Sequence, residues 1–352
     1  MQPIIFISIH KEDITMTAVE EIQLEGYPCI KLTAGAYEAI LAPGIGNNMI
    51  RLRDNKKGIE IFRYDEEHPY TAPMNSPEVY GYPFLYLPNR LRDGILKVSD
   101  ATYHLPINED NHYNNAIHGF VQKRPYTVVS KEVINDDAVK VVSEFVYDEK
   151  DPYYAYFPVA FTLQMTYTLS ANDGLLQEIT MQNDSDKMLP CGFCSHTPFN
   201  AAFVDGTKEG DYVLNVPILE RWELNHRCLP TEHVLKLTEY DENYNRGTQP
   251  CTGVNLDNDI YTAKMNTLDG EAFYGAYATH TPTGKKICYE VSEDYRFWCV
   301  WNDRGINGYF CPEPCTWMID APNLSMPNER TGYAEIAPDE TYACWQHIFT
   351  KE

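Results

Sequence analysis

Val159-Ala160-Phe161-Thr162-Leu163-Gln164-Met165-Thr166-Tyr167-Thr168-Leu169 alternates with a period of two: every odd position is large and apolar, and nearly every even one is polar. Successive side chains of a strand point to opposite faces, so this is the pattern of a strand with one buried and one wet face. Ser170-Ala171-Asn172-Asp173-Gly174 follows, a run that tolerates positive φ, and Leu175-Leu176-Gln177-Glu178-Ile179-Thr180-Met181 resumes the apolar character. Together they predict an antiparallel hairpin. Outward from it, shorter strand signals recur at residues 37–41, 139–147, 272–279, 286–291, 296–301 and 342–349. Helical periodicity is scarce; Glu20-Glu21 and residues 225–235 have room only for short turns. With 20 glycines and 23 prolines spread through the connections, the expected fold is mainly β, a large antiparallel sandwich rather than a parallel βαβ arrangement. No repeat, linker or low-complexity tract divides the chain. Residues 1–25 read as an N-terminal extension or edge segment and residues 26–352 as a single domain.

The 352 residues carry 51 acidic and 28 basic side chains, a formal net charge of -23. Such a surface repels a phosphate backbone, and no basic patch offsets it, so nucleic acid is not an expected partner. No stretch is apolar for long enough to cross a bilayer, so no membrane partner is expected either. The brief apolar run Ile4-Ile5-Phe6-Ile7 lacks a basic leader and a small-residue cleavage site, which points to a cytoplasmic protein. The 10 cysteines then read as reduced thiols packed as small hydrophobes. Cys191-x-x-Cys194 and Cys311-x-x-x-Cys315 could in principle close around zinc. The second pair lacks the two-residue spacing and neither has a glycine knuckle, so no metal is expected.

Several residues stand out as candidates for chemistry. His118 sits in Asn114-Asn115-Ala116-Ile117-His118-Gly119-Phe120, where Gly119 permits close backbone approach to a ligand. Upstream, Asn89-Arg90 offers an amide and a guanidinium suited to neighbouring hydroxyls. His196, in Ser195-His196-Thr197-Pro198-Phe199-Asn200, is placed at a strand end by the proline that follows. Glu313 lies between Pro312 and Pro314, which freeze its direction, and Phe310, Cys311, Cys315 and Trp317 would desolvate it and raise its proton affinity towards that of a useful base. Asp257 and Asp259 compete for one role before a β run. Trp298 and Trp301 are core residues or platforms for a sugar face. The loop-rich residues 65–89 exceed what a connection needs and are expected to line a site. Two imidazoles and one carboxylate suit proton transfer between two oxygens. A glycosidase would want two facing carboxylates, for which only Glu313 with Asp257 or Asp259 is on offer.

The ordered set Asn89-Arg90, His118-Gly119, His196 with Phe199-Asn200, Asp257 and Glu313 resembles the aldose 1-epimerase (galactose mutarotase) family, as does Ile336-Ala337-Pro338-Asp339-Glu340-Thr341-Tyr342 before the last strand. The resemblance implies a β supersandwich with a shallow sugar cleft. It also implies an isomerase that interconverts the α and β anomers of a free hexose without a cofactor. By the resemblance Glu313 is the base that takes the anomeric proton and His196 the acid that protonates the ring oxygen. His118 bonds near that oxygen, and Asn89, Arg90 and Asp257 hold hydroxyls. Arg296 stands where typical members carry a sugar-binding glutamine. Two departures bear on substrate: Tyr86-Leu87-Pro88 replaces a glycine-arginine pair, and His118-Gly119-Phe120 replaces His-Gly-Gly. The latter form is similar to a branch that includes hexose-6-phosphate epimerases, for which Arg92, Arg124 and Arg296 could bind phosphate. A non-catalytic carbohydrate-binding protein on the same fold is the other alternative. The expected partner is a small sugar, and the expected state a monomer or homodimer.

Overall fold

The computed structural model describes residues 17–109, 112–256 and 259–352. The expected hairpin is present: Phe161–Ser170 pairs with Gly174–Asn183 from Phe161↔Asn183 to Ser170↔Gly174. The odd positions of its first strand are buried throughout, and the even ones are half-buried. Val159, although buried, precedes the ladder.

Among the described residues, three large antiparallel sheets and four two-stranded ones build the molecule. The hairpin lies inside a nine-stranded sheet, with Ala138–Tyr147 on one side and Thr341–Lys351, Lys286–Val291 and Gly275–His280 on the other. An eight-stranded sheet runs from Pro230–Leu235 through Ile218–Leu224, Asp259–Ala263, Phe297–Trp301 and Tyr309–Cys315 to Cys194–Ser195 and Phe84–Leu85. A five-stranded sheet begins with Ala18–Leu24, an edge strand laddered to the next from Ala18↔Thr33 to Leu24↔Tyr27. Glu20 and Glu21 therefore belong to a strand, not a turn. Among the described residues no helix is long and apolar enough to cross a membrane.

Residues 225–235 also differ from expectation. A tight turn, closed by Cys228 N–H donating to Asn225 O at 2.9 Å, leads into the strand Pro230–Leu235. The longest helix among the described residues, Glu239–Arg246, lies just beyond. It escapes a search for apolar periodicity because only Asp241 and Tyr244 are buried; its ends carry it instead. Thr238 and Asp241 form a reciprocal capping box, Glu239, Asp241 and Glu242 face the helix dipole, and Gly247 closes the helix at φ 65°.

A polar seam ties the nine-stranded sheet to the eight-stranded one. Gln346 is wholly buried, and its Nε2 donates to Ser195 Oγ at 2.9 Å and to Tyr295 Oη at 2.8 Å. Its Oε1 accepts from the Tyr289 hydroxyl. Buried polar groups hold their place when every one is satisfied, so the seam fixes the position of Ser195 and of the residue after it. Gln346→Ala would remove these buried bonds, at about 0.5–1.5 kcal/mol each. Urea denaturation should show a lower midpoint with an unchanged slope; an unmoved midpoint would mean the seam holds nothing.

Candidate active site

Tyr309–Cys315 is the floor of the site. Its register with Phe297–Trp301 sets Cys299 opposite Glu313 and Trp301 opposite Cys311, so these four side chains share one face. Trp298, opposite Pro314, faces the other way and packs edge-on against Tyr289 at 5.9 Å between ring centroids. On its other side the floor strand pairs with Cys194–Ser195 at Cys315 and with Phe199–Asn200 at Phe310 and Tyr309. Between those two ladders the chain leaves the sheet, and His196 stands in the gap. Thr316 N–H donates to Phe193 O at 2.9 Å, and amides alternate in direction along a strand, so Pro312 and Pro314 aim their missing donors at this gap. At Pro312, beyond the end of the Cys194–Ser195 ladder, the missing donor faces the gap and removes no ladder bond.

A second wall comes from Arg90–Arg92 paired with Asn115–Ile117. His118 N–H donates to Asn89 O at 2.9 Å and Phe120 N–H to Tyr86 O at 3.1 Å. Asn89 and His118 take φ of 50° and 63° in this crossing. A Cβ on Gly119, itself at φ 59°, would fall 1.9 Å from Tyr86 O. Gly119 is thus required for the approach of two protein backbones, a different reason from the ligand contact expected of it.

Both walls and the floor meet around a cavity of about 290 Å³. Asn89, Arg90, His118, His196 and Glu313 line it, with Trp301, Ile117 and Glu78. The size lies near the lower end of the ~300–1,000 Å³ common for small-molecule pockets, on the scale of one sugar ring. His196 Nε2 lies 3.2 Å from Glu313 Oε1. The His118 and His196 rings are 5.4 Å apart and nearly perpendicular, and Trp301 stands 5.4 Å from His196 on another side.

Burial sets the protonation of this group. It pushes the Glu313 carboxyl up to about 8, against the opposing pull of Arg90. It pulls the His196 imidazole down to about 3, with Arg90 adding to the effect. His118 is held well below its ordinary value by burial, then by His196 and Arg90. Near neutral pH the His196–Glu313 pair therefore carries one proton, which burial places on Glu313; the form with the proton on His196 is reached by transfer across the 3.2 Å contact. The Nδ1 atoms of both histidines are enclosed and have no protein partner.

Arg90 is gripped by a carboxylate that the sequence did not single out. Its Nε and Nη2 reach Glu109 at 2.9 and 2.8 Å, and Asn115 Nδ2 holds the same carboxylate at 2.8 Å. Glu78 is the other addition, contributed by residues 65–89, the stretch whose excess length marked it as a site loop. Neither glutamate sits in a local pattern that distinguishes it.

The other expected residues lie elsewhere. Asp257 falls outside the described residues. Asp259 is bound by Arg221 at 2.7 Å and lines a separate hollow with Trp222. Arg296 is exposed, donates to the Glu329 carbonyl and does not line the cavity. Arg92 pairs with buried Asp320 at 3.0 Å. Arg124 is held by Asp151 through two bonds of 2.7 and 3.0 Å, while lining, with Lys123, a hollow that shares His118 and Glu78 with the cavity. No disulfide joins the 10 cysteines. Cys194 and Cys315 face each other across the ladder, whereas Cys191 is bonded towards Ala334. Among the described residues, the one cluster whose donor atoms come within metal-binding range is His196, Cys311 and Glu313.

The sequence profile of the family described as Aldose 1-epimerase matches residues 28–348. The chain is 25% identical over 236 residues to the uncharacterized protein YihR of Escherichia coli K12, spanning 66% of this chain and 68% of that one. Among solved structures, a galactose mutarotase-like protein from Clostridium acetobutylicum superposes with a TM-score of 0.91 at 29% identity, over 96% of this chain and 99% of the other. The galactose 1-epimerase of Lactobacillus acidophilus superposes with a TM-score of 0.68 at 13% identity, over 96% and 99%. That second likeness bears on the fold alone.

Proposed function

Since this chain belongs to the aldose 1-epimerase family, we propose that it is a cytoplasmic isomerase that interconverts the α and β anomers of a free hexose. The observation that carries the reading is the His196–Glu313 pair, 3.2 Å apart on the floor of a sugar-sized cavity. The hydroxyl oxygen and the ring oxygen of an aldopyranose are both bonded to C1. A base and an acid that serve them in one step must therefore be close neighbours, with one proton between them. Glu313, as carboxylate, takes the proton from the C1 hydroxyl while His196, as imidazolium, delivers one to the ring oxygen, and the C1–ring oxygen bond breaks. Rotation about C1–C2 and the reverse transfers close the other anomer, and the proton count is unchanged.

Arg90 favours the carboxylate form of Glu313 and, with Asn89, presents donors to sugar hydroxyls. Glu109 keeps that guanidinium in place. His118, neutral at physiological pH, bonds near the ring oxygen, and Trp301 offers an aromatic surface to the apolar face of the ring.

One-dimensional proton NMR of α-glucose, α-galactose and hexose 6-phosphates should show anomeric signals exchanging faster with protein than without. Exchange confined to the phosphates would move the assignment to a hexose-6-phosphate epimerase. Binding without any acceleration would make the protein a carbohydrate sensor. The neutral sugars are favoured because Asp151 already occupies Arg124 and Lys123 lies 3.9 Å from Glu78.

The pH profile follows from the pair. Activity needs one proton on it, so kcat/KM should be level through pH 5–7 and fall about tenfold per unit above about 8, where the last proton leaves. The acid limb should begin only near about 3. A rate that rises through pH 6–7, as for an ordinary exposed histidine, would contradict the shared proton.

A further inference from the structure

We infer that the Glu313 face of the floor strand is also a site for a thiophilic divalent cation of the zinc class, held by His196, Cys311 and Glu313 in competition with sugar. One donor atom from each of the three residues lies within 4.8 Å of the others, and all three residues are buried. Imidazole nitrogen, thiolate sulfur and carboxylate oxygen together form a donor set suited to zinc. The tightest pair, His196 Nε2 and Glu313 Oε1 at 3.2 Å, matches two ligands each ~2.0–2.2 Å from one tetrahedral ion, which stand roughly 3.3–3.5 Å apart. Strand alternation delivers the sulfur: Cys311 precedes Glu313 by two residues and lies opposite Trp301.

Three protein ligands with an open side towards the cavity leave a position for water, unlike the closed four-ligand set of a structural zinc site. Two features weaken the hold. The Arg90 guanidinium lines the same cavity, and His196 Nδ1 has no partner, whereas resident metal sites orient each imidazole through its second nitrogen. The ion is thus a reversible occupant. On binding it takes the place of two protons, that of the thiol and the one held by the His196–Glu313 pair, both of which go to solvent, and no electron is transferred. By engaging His196 and Glu313 it withdraws both groups that handle the sugar's protons. Only this inhibitory consequence rests on the proposed epimerase reading; the binding does not.

Cobalt(II) added to the metal-free full chain is the probe. A thiolate-to-cobalt charge-transfer band in the near ultraviolet, with intense tetrahedral bands in the visible, is expected and should be bleached by one equivalent of zinc. In Cys311→Ser the charge-transfer band should vanish, and the zinc dissociation constant, read against a chromophoric chelator, should rise at least tenfold. Cys311→Ala serves if the serine variant fails to fold by circular dichroism. A wild-type protein without the band, or a band that survives in the folded variant, overturns the assignment. Cobalt bands in a protein that exchanges no anomers would leave the cation site standing and sink the epimerase reading. Anomer exchange without cobalt bands would do the reverse.

Discussion

Replacing Glu313 with glutamine should slow anomer interconversion by roughly 10²–10⁴, towards the spontaneous rate, since a positioned base contributes on that order. Polarimetry on freshly dissolved α-glucose or α-galactose reads this directly. Glutamine keeps the shape of the side chain and can still bond His196, so the loss reports proton acceptance and not packing. Stability provides the control. Burial raises the proton affinity of Glu313 in the folded protein, so the folded chain keeps a proton that the unfolded chain has released. Its contribution is fully present below the unfolded value and is lost as pH climbs through about 8. Glutamine has no such proton to lose. At pH 8 the variant should therefore melt at or above the wild-type temperature while being nearly inactive; undiminished catalysis would remove Glu313 from the role of base.

His196→Asn should cost a similar factor, because ring opening stalls without a proton for the ring oxygen. Combining it with Glu313→Gln should cost little more than either change alone, since two groups that share one proton act as a unit. Additive losses would mean two independent contributions and would end the shared-proton mechanism. The side chain is buried against Trp301, so some loss of stability accompanies the change. Retained sugar affinity by titration calorimetry separates lost chemistry from a collapsed site. Loss of fold instead of rate would make His196 a structural residue.

Glu313 and His196, the proposed base and acid, were legible in the sequence because their surroundings are unusual: prolines on both sides of Glu313, and a proline soon after His196. Asn89, Arg90 and His118 were legible through their order along the chain. Glu109 and Glu78 were not, because an acidic residue in a strongly acidic chain carries no local mark. Their parts arise from what lies across the gap, the Arg90 guanidinium for Glu109 and the cavity for Glu78. Arg296 shows the converse. It stands beside the Phe297–Trp301 strand in sequence, yet its guanidinium turns to the Glu329 carbonyl. Trp298 and Trp301 could not be told apart by composition, but three residues along a strand reverse the face, which sends one into the core and the other to the cavity. The Glu239–Arg246 helix escaped because its capping box, not an apolar stripe, holds it.

Alternation of apolar and polar residues determined, with no further information, that strands would form and which edges would turn inward, because a period of two is a property of the strand itself. From that the layered β architecture followed. Which distant side chains meet, and who holds the proton when they do, was decided only by tertiary packing. Proton affinity depends on the water removed and the charges brought near. Neither exists until the Tyr309–Cys315 strand, the gap beside it and the Asn89–His118 crossing close around the same cavity.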